Sequence, residues 1–290
     1  MPKTLQASRT AVLVCQGRAA ADGLIAPGRF ADPTAMPLLN PDERAVVQQV
    51  RDGAVPRQWH ERIDYETVRG CAELIVPRTV AIDDAVRAHP SPQLVILGAG
   101  LDGRAWRMPE LADVTVFEVD QPASQHDKRD RAAGLPGKAP TFVLVDFGRD
   151  RLGEELSAAG HRADVATTWI WEGVVQYLTK AEVATTLSAL AARSAPGSRL
   201  IVNYQIPAIS LRLGRLAAQA LMASTGRASY WANEPWRSTW TPPVLAALLA
   251  QHGYTVTTDQ DLLDAAGALA VQIQRPRSLA HSHVMVADRT

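Results

Sequence analysis

The chain has 290 residues, with 30 basic and 30 acidic side chains and hence no formal net charge when histidine is neutral. At 47% hydrophobic and 21% charged residues it has the balance of a soluble globular protein with a sizeable core, not of a disordered chain. Zero net charge argues against a general binder of nucleic acid or of an anionic membrane, which needs a basic excess.

Up to about residue 90 the pattern is helical. The apolar run Ala11-Val12-Leu13-Val14-Cys15 is too short for a signal-peptide core or a spanning helix. No other stretch reaches the ~18 apolar residues that spanning requires, so no membrane contact and a cytoplasmic location are expected. Cys15 and Cys71 are too few for a disulfide framework and read as buried thiols. Asn40-Pro41-Asp42-Glu43 reads as an N-cap, a proline at the first helical position and acids in the first turn. Val46, Val47 and Val50 follow at helical spacing, and 57–71 and 79–87 read as two further helices.

From residue 92 the rhythm changes. Short apolar runs at 93–97, 114–119, 141–145, 165–171 and 199–204 read as buried parallel strands. Helical segments at 123–133, 152–159 and 180–193 lie between them, and such alternation specifies a parallel sheet covered on both faces. Residues 206–240 interrupt it with a helical run over 209–222 and a tryptophan-rich loop. The pattern then resumes with a helix at 242–252, a strand at 254–257 and a last strand at 283–287. The chain is thus one α/β domain over 1–290: a helical cap (1–90), a core (91–205 and 241–290) and a lid insertion (206–240).

Leu97-Gly98-Ala99-Gly100-Leu101-Asp102-Gly103 follows the first strand and matches G-x-G-x-x-G. Such glycines let the backbone turn tightly and approach a ligand closely. Glu118 and Asp120, 18 and 20 residues beyond Gly100, stand where an acid can accept from two ribose hydroxyls. The motif alone allows a dinucleotide or S-adenosylmethionine. Asp102 occupies the position where a pyrophosphate would sit, and Asp120, Asp146 and Glu172 follow other strands at the edge where open α/β sheets bind ligands. Two unit charges ~4 Å apart interact by about 4 kcal/mol at an effective dielectric of 20. A crescent of carboxylates therefore penalises a pyrophosphate and suits the ammonium and sulfonium of S-adenosylmethionine. Its single carboxylate needs a cation, and Arg78 offers bidentate geometry. Tyr177-Leu178-Thr179-Lys180 is one residue short of the Tyr-x-x-x-Lys spacing of short-chain dehydrogenases. His281-Ser282-His283 puts two imidazoles on one strand face without a third ligand nearby, so no metal is expected.

Ser8-Arg9-Thr10-Ala11, Phe30-Ala31-Asp32-Pro33, Pro77-Arg78-Thr79 with Asp83-Asp84, Leu97 to Asp102, Glu118-Val119-Asp120, Val145-Asp146-Phe147 and Glu172-Gly173-Val174 occur in this order. Together they resemble the leucine carboxyl methyltransferase-like family of S-adenosylmethionine-dependent methyltransferases, which includes tetracenomycin-type polyketide carboxyl methyltransferases. The resemblance implies a Rossmann-like class I methyltransferase fold with a mostly parallel seven-stranded sheet. It implies that Arg78 holds the methionine carboxylate and that Gly98 and Gly100 line the methionine and ribose. Asp120 takes the ribose hydroxyls, with Glu118 as the alternative. Asp146 meets the adenine amino group beside Phe147, and Glu172 faces the methionine ammonium. Gly103 departs from the pattern, since the family usually has Thr there.

Methyl transfer is an in-line displacement that demands alignment at ~3–3.5 Å and exclusion of water. Trp169 and Trp171 fall on one face of the fourth strand, and Trp231, Trp236 and Trp240 lie in the insertion. They read either as packing between lid and sheet or as an aromatic acceptor pocket. The expected acceptor is a small aromatic natural product, methylated on a carboxylate or hydroxyl oxygen, with ring-carbon or nitrogen methylation as the alternative. Trp171, Gln176, Tyr177, Asn203, Tyr204, Trp231 and Trp236 are the acceptor-side residues, and Tyr177, His60 and Tyr65 the candidate acid–base groups. The protein is expected to act as a monomer or homodimer and to release S-adenosylhomocysteine. The rival of another class is a non-catalytic cofactor-binding or regulatory protein on the same fold.

Overall fold

In the computed structural model, residues 8–146, 151–208, 236–271, 273 and 276–290 are described. The expected helix over 209–222 and most of the proposed lid lie outside them, as do Phe147 and Trp231.

Seven strands form one sheet in the order β3-β2-β1-β4-β5-β7-β6. They are β1 (Gln93–Leu97), β2 (Thr115–Asp120), β3 (Thr141–Leu144), β4 (Thr167–Trp171), β5 (Arg199–Gln205), β6 (Tyr254–Asp261) and β7 (Ser282–Arg289). Strands β1 to β5 pair in parallel, and β7 runs antiparallel between β5 and β6. The order reverses at β1, with β2 on one side and β4 on the other, which is where such sheets open a crevice for a ligand.

Strand parity sorts the apolar residues onto two faces. Val95, Leu97, Phe117, Val119, Trp169, Trp171, Leu200 and Val202 pack under α7 (Lys180–Ala192) and α8 (Pro242–Gln251). Leu94, Ile96, Val116, Ile170 and Ile201 pack on the other face, against Ile82 and Val86 of α3 (Trp59–Arg87) and Leu262 and Ala266 of α9 (Leu262–Ala268). A third cluster joins α1 (Arg9–Ala21), α2 (Pro41–Arg51) and the first two-thirds of α3, and takes in Leu101 from the glycine loop. The cap is thus packed onto the loop that follows β1.

The sequence suggests two helices, over 57–71 and 79–87, and Pro77 lies in the gap between them. The structure has a single 29-residue helix there. Proline lacks an N–H and its ring crowds the carbonyl four residues back, so it normally ends a helix. Here α3 is held on both sides of Pro77: Val68, Ala72 and Ile75 are buried in the cap, and Ile82 and Val86 against the sheet. Tertiary burial outweighs the local preference, and Arg78 is carried on the turn where cap meets core.

Candidate cofactor site

The site is built on the carboxyl edge of β1, β2 and β4. After β1 the backbone turns through Gly98 (φ 65°) and Gly100 (φ 49°), in the left-handed region that only glycine enters cheaply. Both positions are also crowded. A Cβ at Gly98 would stand 2.4 Å from Val174 Cγ2, and one at Gly100 would stand 2.9 Å from Ala11 Cβ of α1. Asp120, the last residue of β2, fastens this loop. Its Oδ2 accepts from Gly100 N at 2.6 Å and its Oδ1 from Gln121 N at 2.7 Å. Burial raises the carboxyl pKa, and the amide hydrogen bonds from Gly100 and Gln121 oppose the rise.

Glu172, just beyond β4, is shared by two arginines. Its Oε1 accepts from Arg78 Nε at 2.7 Å, and its Oε2 lies 2.8 Å from Arg104 Nη1 of α4 (Arg104–Arg107). Burial alone would raise its pKa, but Arg104 and Arg78 outweigh that and hold it below the usual range. The guanidinium of Arg78 lies beside Gly173, whose φ of 69° turns the chain away from the strand.

These contacts belong to a longer buried chain of alternating charge. Arg104 Nε meets Asp83 Oδ1 at 2.7 Å, and its Nη1 also pairs with Asp102. Asp83 is shared with Arg107 at 2.7 Å, and Arg107 Nε lies 3.6 Å from Asp32 Oδ2. The same oxygen of Asp32 is 2.8 Å from Arg18 Nε, and Arg18 donates to the Leu101 carbonyl. Burial penalises Asp83 and Asp102, yet the surrounding cations hold both below the ordinary carboxylate range. Arg18, Arg78, Arg104 and Arg107 balance Asp32, Asp83, Asp102 and Glu172, so the chain carries no net charge.

This corrects the picture of an unneutralised acidic edge. Asp102 pairs with Arg104, and Glu172 with Arg78 and Arg104, so arginines of α3 and α4 neutralise both. Reading the sequence for acids at strand ends misses Arg18, Arg104 and Arg107. The available signal was the spacing Arg104-Ala105-Trp106-Arg107 directly after the glycine loop, since residues i and i+3 share a helix face. Gly103 also finds its reason here. A Cβ at that position would clash with Thr34 Oγ1, so a threonine at 103 would compete for the space that Thr34 fills.

Other expected site residues stand as follows. Glu118 is fully buried and paired with Lys128, and burial pushes its pKa up to about 7. Asp120 is therefore the acid at the open end of β2, and Glu118 is not. Asp146 is half-buried just beyond β3, on the same edge. Trp171, Asn203 and Tyr204 do not face an open pocket. Trp171 is buried with Trp169 in the core beneath α7 and α8, because two residues on one strand face share the face that the helices cover. Asn203 donates to Ser282 Oγ at 3.1 Å and to the His283 carbonyl at 2.9 Å, and Tyr204 donates to Asp259 Oδ2 at 2.9 Å. Gln176 is buried, donating to the Gly173 carbonyl at 3.0 Å, while Tyr177 and Trp236 are half-buried near it in sequence and space. His60 is exposed, 18 positions before Arg78 on the same helix and so about 27 Å away along its axis. Tyr65 is buried 13 positions before Arg78, about 20 Å away. Both therefore stand far along α3 from Arg78. A cavity of about 220 Å³ lined by Trp106, Met108, Thr115 and Thr141 opens at the amino ends of β2 and β3, the edge opposite the glycine loop.

A crevice with a glycine loop, an acid at the end of β2 and a guanidinium–carboxylate pair beyond β4 fits a ligand made of a nucleoside and an amino acid. The family model of leucine carboxyl methyltransferase matches residues 11–191. A protein of Mycobacteroides abscessus, named as an S-adenosyl-L-methionine-dependent methyltransferase, is 30% identical over 260 residues, 87% of this chain and 84% of that one. A protein of the same name from Mycolicibacterium vanbaalenii is 33% identical over 202 residues, 67% of this chain and 65% of its own length. Among solved structures, a DUF574-family protein from Streptomyces avermitilis shares the fold, with a TM-score of 0.57 over 98% of each chain at 13% identity. The chain belongs to the leucine carboxyl methyltransferase family, the S-adenosylmethionine-dependent methyltransferases its loop and paired charges point to.

Proposed function

We propose that this chain transfers the methyl group of S-adenosylmethionine to an oxygen, carboxylate or hydroxyl, of a small-molecule acceptor. The observation that carries the cofactor side is the Arg78–Glu172 pair, a cation and an anion 2.7 Å apart beside the glycine loop. Arg78 takes the carboxylate of the methionine moiety, and Glu172 takes its ammonium. Asp120 receives the ribose hydroxyls, Gly98 and Gly100 admit the chain between them, and Asp146 with Phe147 meets the adenine. Bound here, the cofactor supplies a methyl group on sulfonium for in-line displacement. The protein's own part is to align the acceptor and to exclude water.

Gln176, Tyr177 and Trp236 are the acceptor-side residues this reading retains. Burial of Trp169, Trp171 and Trp240 in the core leaves less support for a broad aromatic clamp. His60 and Tyr65 lie far along α3 from Arg78, which leaves Tyr177 as the acid–base candidate. A carboxylate acceptor is nucleophilic as it stands and needs no base. The two free thiols, Cys15 and Cys71, suit a reducing, cytoplasmic compartment.

The test is incubation with S-adenosylmethionine and a panel of small carboxylic acids, phenols and alcohols, following S-adenosylhomocysteine release. Acceptor-dependent release with a product one methyl heavier is expected, and an ester product loses methanol in alkali whereas an ether does not. Cofactor binding without turnover on any acceptor would contradict the reading and favour a regulatory protein on this fold.

A further inference from the structure

Arg104 stands at the junction of the buried charge network, between the glycine loop and the end of β4. Its side chain is 2% exposed, and three carboxylates hold it: Asp83 at Nε, and Asp102 and Glu172 at Nη1. Glu172 is consequently divided. One oxygen is ion-paired with Arg104 at 2.8 Å, and the other accepts a hydrogen bond from Arg78 Nε at 2.7 Å. The two arginines differ in what secures them. Arg104 is locked by Asp83 and by Asp102, whose Oδ1 also accepts from Arg104 N at 2.7 Å. Arg78 is the more exposed of the two, at 16% of its side chain, beside Gly173.

We infer that Arg104 is a positioning residue for the amino-acid end of the cofactor: it fixes Glu172 through Oε2, so that Oε1 passes from Arg78 to the ligand's ammonium. This rests on the reading of Arg78 and Glu172 as that subsite. With no ligand the two charges close on each other. A zwitterion arriving between them gives Arg78 a carboxylate and Glu172 an ammonium, so each keeps a partner of opposite charge. Glu172 need not move for this exchange, because its second oxygen is already held. A carboxylate fixed beforehand gives up less rotational freedom on binding, which strengthens the contact it then makes. Asp83 holds Arg104 from the far side of the guanidinium without touching Glu172, and Arg107 holds Asp83 in turn at 2.7 and 3.0 Å.

A merely structural network would behave differently. If it served only to clamp the cap to the core, weakening it would loosen the whole site and affect every ligand alike. A positioning role for Arg104 is felt only by ligands that carry the amino-acid end. S-adenosylhomocysteine and 5′-methylthioadenosine separate the two, because they share adenine, ribose and thioether and differ in that end.

The experiment is calorimetric titration of both compounds into wild type, Arg104→Lys and Asp83→Asn. Wild type should bind S-adenosylhomocysteine at least about tenfold more tightly than methylthioadenosine, the scale of one charge-assisted hydrogen bond. Arg104→Lys keeps the charge but loses the fork. It should weaken S-adenosylhomocysteine by roughly tenfold or more and leave methylthioadenosine within about threefold of wild type. Asp83→Asn should shift the same ratio in the same direction by less. Equal weakening of both ligands, or an unchanged ratio in Arg104→Lys, overturns the inference while leaving the subsite reading standing. If Arg104→Lys does not fold, an unchanged ratio in Asp83→Asn overturns it. A wild type that does not distinguish the two ligands refutes the subsite reading itself.

Discussion

Arg104 Nη1 stands 2.8 Å from Glu172 Oε2, which ties the loop after β1 to the end of β4. Arg104 is buried and the Glu172 side chain is only 10% exposed, so this contact is not a surface ion pair of negligible worth. It is the next-to-last link of a charge chain running from Arg18 in the cap to Arg78, and so connects the cap to the candidate cofactor site.

The chain's stability should depend on its members. Arg18→Met leaves buried Asp32 with the Thr34 hydrogen bonds on Oδ1 but with only the more distant Arg107, at 3.6 Å, as a cation partner among the described residues. Breaking a buried pair from one side costs about 3–5 kcal/mol, whereas exposed pairs contribute about 1 kcal/mol or less. Urea unfolding should therefore show a large loss for Arg18→Met and almost none for Arg151→Met. Arg151 pairs with Glu154 at 2.9 Å, but the two side chains are 82% and 68% exposed. Similar midpoints for the two variants would refute the ranking.

Asp120 and Arg78 should fail differently on substitution. Asp120→Ala removes the acceptor for the Gly100 amide and for a ribose, and should weaken S-adenosylhomocysteine and methylthioadenosine alike by about tenfold or more. Arg78→Ala should weaken only the ligand with the amino-acid end. Unchanged affinity in both variants would refute the site map.

Gly103 and Thr34 should behave as a compensating pair. Gly103→Thr places a Cβ 1.9 Å from Thr34 Oγ1 and should cost about 1–3 kcal/mol by overpacking. Thr34→Gly alone should also be destabilising, since its buried hydroxyl donates to Asp32 Oδ1 at 2.6 Å, yet combined with Gly103→Thr the loss should be smaller than the sum of the two. Additive losses in the double-mutant cycle would show that the two residues do not compete for one space.

His161 makes stability depend on pH. It is buried between Phe117 and Trp169, accepts at Nδ1 from Arg193 Nε at 3.1 Å, and lies 3.0 Å by Nε2 from Thr167 Oγ1. Burial, then the neighbouring Arg193 charge, lowers its pKa from 6.5 to about 4. The folded state therefore keeps it neutral while the unfolded chain protonates it. Its contribution is fully present above pH 6.5 and is lost as pH falls toward 4. Between pH 7 and pH 5 that loss amounts to about 2 kcal/mol. His161→Gln should flatten the slope in that window, and equal slopes for wild type and variant would contradict the assignment.

The sheet was legible from sequence because β1, β2, β4 and β5 are short apolar runs that only a doubly covered sheet accommodates. Gly98, Gly100 and Asp120 were legible because a tight turn followed by a distal acid is a local signal. Helix α3 was not, because Pro77 signals a break and only contacts distant in sequence hold the helix through it. The pairing of Arg104 with Glu172 was not, because the Arg104 and Arg107 spacing marks a shared helix face but not the carboxylates from distant segments that they meet. Trp171 and Tyr204 misled for a related reason: strand parity shows which residues share a face, but not which face the helices cover.

A crystal structure with S-adenosylhomocysteine bound tests the central claim most directly. The account predicts the ligand's carboxylate on the Arg78 guanidinium, its ammonium on Glu172 Oε1, and its ribose on Asp120. Arg104 should remain on Glu172 Oε2, and the 2.7 Å contact between Arg78 and Glu172 should be broken. A ligand bound in the crevice with that contact intact, or with its amino-acid end directed away from both residues, would contradict it.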